Sequence, residues 1–189
     1  IYNYVALSNT LSDKGYEFNS KSDTEVILAA YIEWGEECVN FLNGMFAFAI
    51  YDSIKKNVFI SRDRAGEKPI YYCYIDGVFS FGSELKALIN DNSVERKINK
   101  ASLDCFLYMG FVPGDRCILD GFNKLPAAHS LIFSLIDSSI SIKKYWELPV
   151  NQKNNLSELD LTEELEELLD NSVKHQLVAD VPVGVLLSG

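Results

Sequence analysis

The run Ala179-Asp-Val-Pro-Val-Gly-Val-Leu-Leu-Ser-Gly189, at the end of the 189-residue chain, constrains the fold more than any other segment. Val181, Val183, Val185, Leu186 and Leu187 make it apolar and largely β-branched. Such a run predicts a strand buried on both faces, as in a parallel sheet covered by helices on both sides. Ser188 and Gly189 follow, small residues that leave backbone N–H groups open to an anion. The expectation is a parallel strand emptying into a phosphate-binding loop.

The rest of the chain has a different pattern. Ser22-Asp23-Thr24-Glu25 has the form of a capping box ahead of an apolar helix that Gly35 stops. A short second helix over about 37–42 leads to Met45-Phe46-Ala47-Phe48-Ala49-Ile50-Tyr51, which predicts a strand covered on both sides. Strands follow at 58–63, 70–75 and 78–82, the last two joined by Asp76-Gly77, a type I′ hairpin signal. Helices and an antiparallel meander place the first ninety residues in the α+β class. A helix over 99–112 and a hairpin (130–133 with 139–146) complete this part.

Residues 149–160 are polar and without pattern, and predict a linker. Beyond it, Asp160 with Glu163 forms a second capping box, and Leu161, Leu165, Leu168, Leu169 and Val173 share one helical face. Glu163, Glu164, Glu166 and Glu167 crowd the first turns, where the helix dipole favours anions, and read as a solvated face. The expected division is 1–148, a linker over 149–160, and the opening of an α/β domain over 161–189.

A formal charge of −10 argues against a nucleic-acid partner, since such binding rests on clustered Lys and Arg. The sequence carries no apolar stretch long enough to span a membrane. Cys38, Cys73, Cys105 and Cys117 lack paired spacing, and His129 and His175 lie far apart, so no metal site is expected. Reduced thiols suit a cytoplasmic protein. The chain opens at Ile1-Tyr2-Asn3 without an initiator Met and is expected to be an internal piece of something longer.

By physics alone the chemical signals are modest. Ser22-Asp23-Thr24-Glu25 can be helix capping and nothing else. Ser61-Arg62-Asp63-Arg64-Ala65-Gly66-Glu67-Lys68-Pro69 reads as a tight, ion-paired connection between strands. The phrases Ile1-Tyr2-Asn3, Ser22-Asp23-Thr24-Glu25, Asn43-Gly44-Met45-Phe46-Ala47-Phe48, Arg62-Asp63-Arg64 with Gly66 and Lys68-Pro69, Phe81-Gly82-Ser83-Glu84-Leu85-Lys86-Ala87-Leu88, Leu125-Pro126, and Asp180-Val181-Pro182-Val183-Gly184-Val185 with Leu187-Ser188-Gly189 occur in that order. Together they resemble the glutamine-hydrolysing asparagine synthetases over nearly the whole chain.

The resemblance implies a class II glutaminase domain of N-terminal-nucleophile type, an α-β-β-α sandwich. It also implies that the first helix and strand of an α/β ATP-pyrophosphatase domain follow. In that family an N-terminal cysteine, with its own α-amino group as base, releases ammonia from glutamine. The ammonia then meets a β-aspartyl-adenylate made from aspartate, ATP and Mg²⁺. The chemistry is sound, because a free α-amino group titrates near neutrality and can take the thiol proton. Asp23 matches the aspartate that binds the α-ammonium of glutamine. Leu187, Ser188 and Gly189 match the start of the ATP-binding Ser-Gly-Gly-x-Asp-Ser loop. Arg62 and Asp63 match a signature read as structural. No cysteine here matches the nucleophile, and the oxyanion-hole Asn-Gly would lie before Ile1, so no catalytic residue is assigned and the piece itself is expected to be inactive. The family often forms dimers, which leaves a homodimer open. Two other readings stay open: a related amidotransferase acting on a sugar uronate or closing a β-lactam ring, and a non-catalytic glutaminase-like domain.

Overall fold

A computed structural model describes residues 1–90, 94–150, 156–179 and 181–186. Its strands form two antiparallel sheets. The first holds β1 (Ala47–Asp52), β2 (Asn57–Arg62), β6 (His129–Ser134) and β7 (Ile140–Lys144) in the order β1-β2-β6-β7. The second holds β3 (Tyr71–Ile75), β4 (Val78–Gly82) and β5 (Phe122–Lys124) in the order β4-β3-β5.

Strand alternation divides the core into layers. On β2, Phe59 faces the helices α1 (Tyr4–Ser12) and α2 (Asp23–Trp34), where it meets Leu7, Leu11, Val26 and Tyr31. Its neighbour Ile60 faces the other sheet, with Leu131 and Phe133 of β6 and Tyr72 of β3. Phe79 of β4 stacks on Phe133 across this gap at 4.2 Å. The outer face of the second sheet offers Cys73 and Phe122 to Leu88 of the short helix α3 (Leu85–Leu88) and to Cys117. The order is helices, sheet, sheet, helix, the expected α-β-β-α sandwich. Asp76 and Gly77 take positive φ, as a type I′ turn requires.

Several expectations need correction. The strands do not form one meander: β2 pairs with β6, and the chain leaves for the second sheet and returns. β1 is not covered on both faces: Ala49 and Tyr51, which share one face of this strand, are exposed. The sequence pattern signals neither helix α1 nor strand β5; α1 is short and β5 is three residues long. Helix α4 (Lys100–Met109) ends earlier than 112, because Gly110 takes the left-handed conformation that terminates it.

The C-terminal part departs furthest. Helix α5 (Glu158–Gln176) starts inside the expected linker because Ser157, not Asp160, is its N-cap, with Asp160 returning the capping-box bond. None of its residues is buried, so the apolar stripe from Leu161 to Val173 lies in solvent. Over 181–186 no strand forms, and Val181, Val183, Val185 and Leu186 are exposed. A strand exists only with a neighbour to take its backbone hydrogen bonds, and this segment pairs with none among the described residues. Leu187, Ser188 and Gly189, the expected start of an ATP loop, lie outside the described residues, as does Asp180.

Candidate functional site around Asp23

Asp23 is the first residue of α2. Ser22 caps the helix, its Oγ accepting from the Thr24 N–H at 3.2 Å. The capping box is not completed. Glu25 instead accepts from the Asn19 and Ser20 backbone N–H groups at 2.9 and 2.8 Å and from the Ser20 hydroxyl at 2.6 Å. The chain before Ser22 folds back and brings those donors to the carboxylate. The Asn19 N–H and then the Ser20 hydroxyl hold the Glu25 carboxyl below its ordinary range.

Asp23 is left free for another partner. Its side chain keeps 43% of its accessible surface, and the Ile1 backbone nitrogen lies 2.5 Å from its Oδ2. The Ile1 segment is positioned by the turn before β1. The Tyr2 N–H donates to the Asn43 carbonyl at 2.7 Å. The Asn3 side chain takes the Asn43 N–H at 3.0 Å and donates to the Phe41 carbonyl at 2.9 Å. Gly44 has a φ of +147°, and a Cβ there would stand 2.9 Å from both Ile1 Cα and Tyr2 N. Ile1-Tyr2-Asn3 and Asn43-Gly44, separate phrases in the sequence, are thus packed backbone to backbone.

Around Asp23 lies a cavity of about 360 Å³. Thr24 shares its α2 wall, Met45 and Phe46 its second, Lys68 and Pro69 its third, and Ser83 closes it. The sequence pointed to Asp23 but gave no role to Lys68, Pro69 or Ser83, although all three fall within the matching phrases. A larger cavity of about 480 Å³ lies apart from Asp23, between α4 and the segment before β5, lined by Phe106, Phe111, Arg116 and Lys124 among others.

The connection after β2 is not ion-paired as expected. Arg62 donates to three carbonyls: Nε to Lys68 at 2.8 Å, Nη1 to Leu125 at 2.6 Å and Nη2 to Gly66 at 2.5 Å. Asp63, 1% exposed, accepts from the Glu67 N–H at 2.9 Å and the Lys68 N–H at 3.0 Å. Both charges are spent on backbone groups.

Cys38, Cys73 and Cys117 are buried, and none of the four cysteines lines the Asp23 cavity. Burial pushes the Cys38 thiol up to about 12 and raises that of Cys73 as well. Both stay protonated near neutrality, and the nucleophilic form is the thiolate. Among the described residues no three His, Cys, Asp or Glu side chains gather as a metal would require. No helix among them is long and apolar enough to cross a membrane.

Residues 1–146, which contain the whole two-sheet sandwich and Asp23, match the family model of the glutamine amidotransferase domain. The chain belongs to that family. Residues 164–189 match a second family model, asparagine synthase. Asparagine synthetase [glutamine-hydrolyzing] 3 of Bacillus subtilis is 37% identical over the full chain, which covers 30% of its length. Asparagine synthetase B [glutamine-hydrolyzing] of Escherichia coli is 36% identical, and the chain covers 29% of it. The chain therefore spans about a third of the length of these relatives. A solved structure of the glutamine phosphoribosylpyrophosphate amidotransferase from B. subtilis superposes on 77% of this chain and 27% of its own, with a TM-score of 0.53 at 16% identity. That likeness bears on the fold, which is of the N-terminal-nucleophile type.

Proposed function

We propose that this chain is the greater part of the glutaminase domain, joined to the beginning of the synthetase domain, of a glutamine-hydrolysing, ATP-dependent asparagine synthetase. The glutaminase part would run over 1–148 and the synthetase part begin after 160. The observation that carries this reading is Asp23, a carboxylate 43% exposed at the start of α2 and lining a cavity of about 360 Å³. The α-ammonium of a free glutamine is a cation that such a carboxylate can hold, and a charge-assisted bond between the two is strong and directional. The second family match supports aspartate and ATP as the other substrates. Leu187, Ser188 and Gly189 would open the ATP loop, with Mg²⁺ accompanying the nucleotide. Free thiols fit a reducing compartment such as the cytoplasm.

The test is Asp23→Ala in the full-length enzyme, assayed for asparagine formation with glutamine and separately with ammonia. A charge-assisted hydrogen bond is worth about 1.5–3 kcal/mol, so the glutamine KM should rise roughly 10- to 150-fold. Ammonia-dependent synthesis should be spared. Equal loss with both nitrogen donors would place Asp23 in the fold instead. Failure to form asparagine from aspartate with either donor would refute the acceptor assignment.

A further inference from the structure

We infer that Arg62 and Asp63 are positioning residues for the glutamine cavity, holding two of its walls at a fixed distance from Asp23. The inference rests on the reading of Asp23 given above and extends it to residues that do not touch the substrate.

Asp63 is bonded to both walls at once. Its backbone N–H donates to the Phe46 carbonyl at 2.8 Å, fixing the β1 wall. Its carboxylate takes the N–H groups of Glu67 and Lys68, fixing the loop wall. Its carbonyl accepts from the Gly66 N–H at 3.1 Å and the Ala128 N–H at 2.9 Å. A side chain that is 1% exposed can hold such bonds without competition from water.

Arg62 works from the other side. Its guanidinium binds the Lys68 carbonyl, so both backbone polar groups of Lys68 are taken by this pair of residues. The bond from Nη1 to the Leu125 carbonyl ties the end of β2 in one sheet to the end of β5 in the other. The Arg62 carbonyl is itself held by the Tyr145 hydroxyl at 2.6 Å. A planar fork with donors in fixed directions can reach three carbonyls together, and an ammonium cannot. Lys68 and Pro69 then line the same cavity as Asp23 from a backbone with little freedom. A simple connection between strands would need none of this; a wall that must keep its place opposite a bound amino acid would.

The experiment uses the full-length enzyme with Arg62→Lys, Asp63→Asn and, as reference, Asp23→Ala. Displacing a positioning group by about an ångström can cost up to roughly a hundredfold, so we expect a rise in glutamine KM of about tenfold in both clamp variants. Ammonia-dependent synthesis, which bypasses the cavity, should stay within about twofold, a split that a role in overall stability does not produce. Hydrogen exchange supplies a second reading: the Glu67 and Lys68 amides should lose protection in Asp63→Asn while β2 and β6 keep theirs. An unchanged glutamine KM in both clamp variants, with Asp23→Ala impaired, overturns the clamp and leaves the Asp23 reading standing. An unchanged KM in Asp23→Ala overturns that reading by itself. Parallel loss with both nitrogen donors, or global loss of protection in both clamp variants, overturns the positioning role in favour of a purely structural one.

Discussion

Ser61 and Ser130 face each other across β2 and β6, with their hydroxyls 2.9 Å apart and almost no exposure. A buried hydroxyl pair is valued asymmetrically. Removing one partner strands the other, at a cost of about 1–3 kcal/mol, whereas removing both at constant shape is nearly neutral. Ser61→Ala should therefore destabilise by about 1–3 kcal/mol. The double variant should cost no more than Ser61→Ala alone. For a chain of this size each kcal/mol corresponds to roughly 2–4 °C in Tm. Urea unfolding followed through Trp34, which stacks on Phe41 at 4.2 Å, measures all four proteins of the cycle. At constant m-value the midpoints give the coupling directly. If the double variant costs the sum of the two singles within about 0.5 kcal/mol, the hydroxyls are independent and the reasoning is refuted.

Other expectations are simpler to state. Phe133→Ala, which removes the ring stacked on Phe79 between the sheets, should cost about 3–5 kcal/mol in the same titration, and a loss under about 1.5 would mean that the core closes over the gap. Gly44→Ala should weaken the packing of the Ile1 segment, seen as lost protection at the Tyr2 amide, because the new methyl group meets backbone at 2.9 Å. Thiol labelling at pH 8 should reach Cys38 only on unfolding, since burial keeps it protonated; rapid labelling of the folded chain would contradict its environment. Glu25→Gln tests a depressed carboxyl. Its native value lies below the ordinary 4.5, so its contribution is present above that range and lost as pH falls through the native value. The stability gap between wild type and variant should be open at pH 7 and close only as the pH falls through the lowered native value. A gap that does not change with pH would remove the carboxylate from the account.

Local signals were legible wherever the chemistry was local. Ser22 at the start of α2, Gly35 at its end and the Asp76-Gly77 turn are short-range devices, and each acts where its spacing placed it. Partition into two sheets was not legible, because the alternation of Val58-Phe59-Ile60 shows two buried faces without showing which strand lies alongside. The β2–β6 pairing depends on residues far along the chain. The same limit applies at the site. Asp23 stood out beside a helix cap, whereas the cavity around it is assembled from Met45, Lys68 and Ser83, which only the tertiary fold brings together. For Arg62 and Asp63 the charge pattern suggested mutual pairing, but their partners are carbonyls and amides, which every residue possesses and which composition therefore cannot reveal. The expected terminal strand has a complementary cause: its apolar composition says that it can be buried, and a strand also requires a neighbour.

The excursion between β2 and β6 has a consequence for how the polypeptide is made. Ser61 and Ser130 lie 69 positions apart. At synthesis rates of roughly 5–20 residues per second, β2 leaves the ribosome about 3–14 s before the strand that will complete its side of the sheet. During that interval β1–β2 is the only pairing of this sheet whose two strands have both been made, and an isolated hairpin is marginal in water. One edge of β2, carrying Phe59 and Ile60, is then a template for pairing with another nascent chain. Slower elongation over residues 63–128 should therefore lower the soluble yield, and an early-binding chaperone should find its main target at β2.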